Sequence, residues 1–123
     1  MAELPDVSWA IPFALKERVY SSGLNLQVSV REDANRRPLD ARTDLHNYSA
    51  TFDWGSDSAG AAQLIISLAL LADALDSDPR AQSIHQNFKS RVVVDLPERW
   101  TMTRSRILAH AKIFEKLLNG RVG

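Results

Sequence analysis

The sequence predicts an α+β fold in which a small antiparallel sheet from the N-terminal half packs on about three α-helices from the C-terminal half. Apolar and polar residues alternate over residues 24–30, which is typical of a half-buried strand. From residue 58 onward, apolar residues recur at helical spacing instead. Strands that precede the helices, rather than alternate with them, favour a separate sheet and a separate helical layer.

Length and composition indicate one ordinary globular domain. The chain has 123 residues, of which 45% are hydrophobic and 24% are charged. It contains no cysteine, which excludes a disulfide framework, thiolate metal sites and thiol catalysis. The first residues lack the basic start of a secretion signal, and the longest apolar run, residues 59–72, is shorter than the roughly 20 residues of a membrane span. We therefore expect a cytoplasmic protein that does not contact a membrane.

Residues 1–16 are predicted to form an extended N-terminal arm, and residues 17–123 the single α+β domain. Pro5 and Pro12 disfavour helical geometry in the residue that precedes each of them. Because the arm carries two large aromatic side chains, it either packs along its own domain or exchanges with a second copy in an oligomer.

The first strands are expected in a hairpin over residues 18–30, with a break at residues 21–23. The alternation in its second half predicts one buried face, made of Leu24, Leu26, Val28 and Val30. Residues 31–51 are rich in Asp, Asn, Arg and Ser, which predicts a loop with room for a short third strand.

Residues 59–75 are predicted to form the central helix because they are apolar on nearly every side. Ser58 is its expected N-cap. Gln63 is a lone amide within this helix, and a buried amide must find hydrogen-bond partners. We expect Gln63 to act as a structural clamp on the preceding loop, and only secondarily as a ligand contact.

Two further helices follow the central one. Asp78 is expected to cap a second helix, with Pro79 at its first position, and Pro97 lies beyond the end of that helix. Thr103 is expected to cap a last helix that ends at Leu118.

Residues 52–60 are the most unusual stretch because two aromatic residues and two glycines lead directly into a helix N-terminus. Unpaired N–H groups at such an end attract anions. Asp53 and Asp57 would repel a phosphate, however, and no lysine follows the glycines as in a phosphate-binding loop. The stretch is therefore either a structural turn or a site for a partner or ligand. The candidate contact residues are Asp53, Trp54, Asp57 and Gln63.

The histidines do not predict a metal site, because no two of them have the four-residue spacing of a helical metal site and no cysteine assists them. We predict neither a metal nor a cofactor. One polar loop offers groups for acid–base chemistry, although a loop held by Asx turns is the simpler interpretation. These groups are Asp40, Asp44, His46 and Ser49.

Charge is distributed unevenly between the two halves of the chain. Residues 1–78 hold six basic and twelve acidic side chains, and residues 79–123 hold nine basic and three acidic ones, so the halves carry −6 and +6. Either the halves neutralise each other, or the basic half meets nucleic acid or an acidic partner. Its candidate contacts are Arg99, Trp100, Arg104, Arg106 and Lys112.

Several segments together resemble a small bacterial family of unknown function, numbered 6166. They are residues 37–49, 52–55 and 58–64, followed by Phe88-Lys89, Leu96-Pro97 and residues 99–103. The resemblance covers about residues 17–107. Ser56, Asp57, Ala61 and Tyr48 depart from the family pattern, and Asp57 stands where the family tends to have glycine. The resemblance implies a compact domain that is often carried on bacterial mobile elements, with no activity attached to it.

Three functions are consistent with these observations. We favour a non-enzymatic accessory protein that binds another protein, such as a mobile-element-encoded inhibitor of a host defence system. The second is a nucleic-acid-binding accessory domain that uses the basic C-terminal half. The third is an enzyme or small-ligand protein that uses the turn at residues 53–60.

Overall fold

The computed structural model describes residues 17–49, 51–56 and 60–122, and the side chains up to residue 119. Its elements are β1 (Val19–Ser22), β2 (Val28–Glu32), β3 (Asn35–Pro38), α1 (Gly60–Leu75), α2 (Asp78–Arg91), β4 (Thr101–Thr103) and α3 (Arg104–Val122). The α+β prediction is confirmed, and the expected short third strand is β3. The N-terminal arm, its exchange in an oligomer and the Ser58 cap lie outside the described residues.

The sheet is antiparallel throughout, with strand order β3-β2-β1-β4. Its edge strand β4 comes from the C-terminal half of the chain and pairs with β1. Tyr20 lies opposite Val30 on one side and Met102 on the other. All three side chains are buried, and together with Val28 of β2 they form part of the core.

The β1–β2 connection differs from the predicted hairpin. Leu24 is 85% exposed and Leu26 is 45% exposed, although the alternation placed both in the core. They lie in a short 3-10 turn, which hydrogen bonds close from the Gly23 N–H to the Gln27 carbonyl (2.8 Å) and from the Gln27 N–H to the Leu24 carbonyl (3.2 Å). Strand β2 therefore begins only at Val28, after this turn, and its alternation buries Val28 and Val30.

Helix α1 forms the centre of the domain, as its apolar surface predicts. Twelve of its side chains are buried, and it packs against both α2 and α3. The rings of Phe88 on α2 and Phe114 on α3 meet edge to face at 6.4 Å, an arrangement that aromatic pairs prefer. No helix in the described part of the chain is both long enough and apolar enough to cross a membrane.

The helix caps confirm one prediction and correct another. The Thr103 hydroxyl accepts a hydrogen bond from the Arg106 N–H at 3.2 Å, as expected for the N-cap of α3. Helix α2 is capped by Ser77 instead of Asp78. Asp78 is the first residue of the helix, where its negative charge interacts favourably with the helix dipole, and Pro79 is the second residue instead of the first. Helix α3 continues past Leu118 to Val122.

The sheet is tied to α1 by a charged cluster around Asp73. Its carboxylate accepts hydrogen bonds from the Tyr20 hydroxyl (2.6 Å), from Arg18 (2.9 Å) and from Arg37 (3.2 Å). Burial opposes ionisation of Asp73, but the hydrogen bonds from Arg37 and Tyr20 outweigh it and hold the pKa of the carboxyl below its usual value. Asp73 is therefore ionised at neutral pH, and it joins two strands to the central helix.

Asp73→Asn is expected to lower the free energy of unfolding by about 1–3 kcal/mol, because charged hydrogen bonds at a largely buried position become neutral ones. Urea titration followed by circular dichroism measures the change. Glu32→Gln is the matched control, since Glu32 lies 3.4 Å from Arg18 but is 48% exposed. Equal losses in the two variants would contradict the central role of Asp73.

Candidate functional site

A cleft of about 970 Å³ opens at one end of the sheet. Three segments line it: the β1–β2 turn, the turn that precedes α1, and the loop between α2 and β4. The lining residues are Ser22 to Leu26, Asp53 to Ser56, Leu96, and Glu98 to Thr101. We call this cavity the turn cleft.

The turn cleft joins candidate residues that are far apart in the sequence. Asp53 and Trp54 come from one predicted group, and Arg99 and Trp100 from the other. The two indole rings meet edge to face, with centroids 5.7 Å apart and an angle of 90° between the planes. Both rings are buried, so they form the wall of the cleft and present little free surface.

Hydrogen bonds to neighbouring backbone fix the aromatic wall in place. The Trp54 indole N–H donates to the Glu98 carbonyl at 3.3 Å. The backbone N–H of Trp100 donates to the Ser22 hydroxyl at 2.8 Å, and the backbone N–H of Ser22 donates to the Trp100 carbonyl at 3.0 Å. The indole N–H of Trp100 is buried and has no hydrogen-bond partner within residues 17–49, 51–56 and 60–119.

The turn at residues 53–56 is held from two sides. The buried Gln63 side chain donates to the Gly55 carbonyl, and the Gly55 N–H donates to the Val93 carbonyl at 3.0 Å. Gly55 has φ +91°, a conformation that side chains disfavour. The role of Gln63 as a clamp on the preceding loop is thus confirmed. Asp57, a further candidate contact, lies outside the described residues.

Leu24 and Leu26 form the exposed rim of the turn cleft, and the sequence reasoning missed them as site residues. Asn25 and Leu26 both have φ 59°, so the rim is built from left-handed backbone in non-glycine residues. The run Ser-Ser-Gly with a nearby asparagine is typical of a turn. This turn composition indicates that the buried alternation of β2 does not begin at Leu24.

The remaining basic candidates lie elsewhere and have different environments. Arg104 donates from Nε to the Ala74 carbonyl at 2.8 Å, near the C-terminal end of α1, which is a helix-capping contact. Arg106 and Lys112 are exposed on α3. The predicted basic surface therefore divides into the turn cleft, a cap of α1, and the outer side of α3.

In the part of the chain that the structure describes, each ion pair joins residues of the same half. Among the described residues, Arg18, Arg37 and Arg42 pair with acids of the first half. Arg80 pairs with Glu115, both in the second half, at 2.8 Å. No ion pair within this part of the chain crosses between the halves. Ion pairs among the described residues therefore do not neutralise the excess of positive charge in residues 79–123.

The polar loop at residues 40–49 is held by its own side chains and by α2. Asp40 accepts a hydrogen bond from the Arg42 N–H at 3.1 Å, which is an Asx turn. The Arg42 guanidinium pairs with Asp44 at 3.0 Å and with Asp78 at 2.9 Å. The hydrogen bonds from Arg42 lower the pKa of both carboxyls. The Asx-turn interpretation is confirmed, and the carboxylates of Asp44 and Asp78 are both paired with Arg42.

The same loop covers His85, a buried histidine of α2. His85 Nδ1 lies 2.8 Å from the Gln82 carbonyl and Nε2 lies 3.0 Å from the Tyr48 hydroxyl. The carbonyl only accepts, so Nδ1 carries the proton and Nε2 accepts from Tyr48. His46 stacks on Tyr48 with centroids 4.6 Å apart. Burial lowers the pKa of His85, and the charge of nearby His46 lowers it further.

In the described ranges, no three histidine, aspartate or glutamate side chains come close enough together to hold a metal ion.

The fold and the cleft define a small α+β domain in which two exposed leucines and two packed indole rings line one cleft. The model of a family of unknown function (DUF6166) matches residues 22–113, and the chain belongs to this family. The match runs from the end of β1 into α3 and includes every segment of the turn cleft. No curated protein and no solved structure matches the chain.

Gln63→Met is expected to lower the free energy of unfolding by about 1–3 kcal/mol, because it removes the hydrogen bond that holds the Gly55 carbonyl while preserving side-chain volume. Urea denaturation followed by tryptophan fluorescence measures this loss. Gln86→Met is the matched control, since Gln86 is exposed on α2. A similar loss in both variants would argue against the clamp.

Stability is expected to fall as the pH is lowered from about 7 towards about 5. Because the folded-state pKa of His85 is below its unfolded value, the unfolded chain binds protons first, and protonation favours unfolding. His110, whose pKa burial also lowers, acts in the same direction. Urea titrations at several pH values are expected to show a weaker pH dependence for His85→Gln, and a weaker one still for the double variant with His110→Gln. An unchanged slope in His85→Gln would contradict this account.

Proposed function

We propose that this protein is a non-enzymatic accessory protein that binds a protein partner through the turn cleft. One observation carries the proposal: Leu24, 85% exposed, and Leu26, 45% exposed, lie at the rim of a cavity that the packed indole rings of Trp54 and Trp100 also line. An exposed leucine alone is ordinary. Two of them on a constrained turn beside a concave aromatic surface supply the apolar anchor points typical of protein interfaces.

The conformation of the rim supports a binding role. Left-handed backbone in a non-glycine residue costs about 1–2 kcal/mol, and both Asn25 and Leu26 adopt it. Such strain is concentrated at functional sites, where the surrounding structure maintains it. The buried Trp100 indole N–H without a partner in the described part of the chain is a second cost at the same place.

The charges of the cleft favour a protein over a nucleic acid. Among the described residues, Asp53 and Glu98 line it together with one cation, Arg99. Two carboxylates repel phosphates, whereas a polypeptide segment with an apolar side chain and polar flanks fits a rim of mixed charge. We therefore infer that the occupant is a polypeptide segment that inserts an apolar side chain between the two leucines and the indole wall.

The biological role that fits this surface is inhibition of a host system. Relatives in the family are expected on bacterial mobile elements, and a small domain that blocks a defence protein by contact needs no catalytic centre. This part of the proposal, and a cytoplasmic location, rest on size and context.

The alternative function is nucleic-acid binding by the basic half. Its support is that Arg99, Arg106 and Lys112 are exposed and, within the described residues, none of them pairs with a carboxylate. Two contacts weaken it. Trp100 is too buried to stack on a base, and Arg104 is engaged with the end of α1.

Leu24→Ser is expected to abolish retention of a partner while leaving stability within about 0.5 kcal/mol of the original, because the side chain is exposed. The measurement is quantitative affinity capture from a bacterial lysate, with and without nuclease, compared between the two forms. The supporting result is a protein that the original chain retains in both conditions and that Leu24→Ser loses.

Gln86→Ser is the control, since Gln86 is exposed on α2 and lines neither the cleft nor the outer side of α3. A protein lost equally from both variants would contradict cleft binding. Recovery of nucleic acid, or of proteins that disappear after nuclease treatment, would instead support the alternative function.

A further inference from the structure

The outer side of α3 carries an exposed apolar ridge. Ala109, Ile113 and Leu117 are spaced four residues apart, which places them in one row along a helix. Ala109 is exposed, and Ile113 and Leu117 are each 57% exposed. The opposite side of α3 is buried through Ile107, Ala111 and Phe114. Helix α3 therefore has two apolar sides: one packs in the core, and the other, the ridge, is exposed.

Within the described residues the cations around this ridge form no ion pair, although the Glu17 carboxylate accepts a hydrogen bond from the N–H of Ser105, next to Arg106, at 3.1 Å. Arg106, Lys112 and Lys116 are exposed on the outer side of α3, next to the ridge. Glu115 is the only acidic residue of the helix, and both of its carboxylate oxygens accept from Arg80 at 2.8 Å. Among the described residues, none of the three cations pairs with a carboxylate.

We propose that the outer side of α3 binds an acidic amphipathic helix of a protein partner. A row of residues four apart is the ridge that a second helix packs against, and the small Ala109 allows its backbone to approach closely. Acidic side chains on both flanks of the partner helix would meet Arg106 on one side and Lys112 and Lys116 on the other. This surface shares no residue with the turn cleft, so the inference is independent of the function proposed above.

Other occupants fit this surface less well. A nucleic acid uses the cations but gains little from Ile113 and Leu117, which would lie against phosphates. Two aliphatic side chains bury too little apolar surface to hold a helix in an anionic membrane. A second copy in a two-fold contact would place Lys112 and Lys116 near their own equivalents and add like-charge repulsion.

Peptide display tests the proposal directly. A phage library of 16-residue helical peptides, with apolar residues fixed at positions one helical turn apart and all other positions random, is selected on the full-length protein. Counter-selection uses the Ile113→Ser/Leu117→Ser double variant. The expected result is enrichment of peptides with acidic residues on both flanks of the apolar row.

The selected peptide is then measured by fluorescence anisotropy. Its affinity is expected to fall about tenfold or more with Ile113→Ser/Leu117→Ser, and by a similar factor with Lys112→Glu/Lys116→Glu. Leu24→Ser is expected to leave it unchanged, which separates this surface from the turn cleft. Because all substituted side chains are exposed, the urea midpoint of each variant is expected to match that of the original chain, and circular dichroism confirms that each is folded.

Several outcomes would overturn the proposal. They are failure to enrich peptides, enrichment without acidic bias, and peptide binding that survives both double substitutions. Tighter binding to a 20-base-pair DNA duplex or to phosphatidylserine vesicles that Ile113→Ser/Leu117→Ser does not weaken would assign the surface to those ligands. Concentration-dependent dimerisation that Leu117→Ser abolishes would assign it to a second copy.

Discussion

The architecture depends on one carboxylate, that of Asp73 in the last turn of α1. A negative charge near the C-terminal end of a helix opposes the helix dipole, and partial burial adds to that cost. Arg18, Arg37 and Tyr20 offset both costs and thereby bring β1 and β3 to the central helix. Arg18 also donates to the Asp73 carbonyl at 2.7 Å, so it satisfies one of the free carbonyls at the helix end.

The turn cleft lies at the other end of the same sheet. Strand β1 follows Arg18, which lies beside Asp73, and ends at Ser22, which lies beside Trp100. One strand therefore connects the charged anchor to the aromatic wall. The hydrogen bonds of Asp73 thus hold the domain together at one end, and hydrogen bonds between loops hold it together at the other. Strained backbone such as that of Leu26 persists only where the surroundings are firm enough to maintain it.

The sequence predicts the elements well where one periodicity dominates and poorly where two signals compete. Helix α1 is apolar on all sides, so its central position and the clamp at Gln63 follow from the sequence. Leu24 and Leu26 share the alternation of β2, and only the competing turn composition of residues 21–25 removes them from the core. The approach of Trp54 to Trp100 was beyond sequence reasoning, since it depends on tertiary folding across 46 residues of chain.

The two proposed surfaces differ in the physics that each offers a partner. The turn cleft is concave, rigid and mixed in charge, so shape and apolar contact dominate there and salt should affect binding little. The outer side of α3 is convex, and the charged side chains described on it, those of Arg106, Lys112 and Lys116, are cations. Association there is therefore steered by charge and weakens with ionic strength. The excess of positive charge in the C-terminal half is exposed at this second surface. No described ion pair joins a basic residue of that half to an acidic residue of the first half. A domain with both surfaces is able to hold two segments of one partner, or two partners, at the same time.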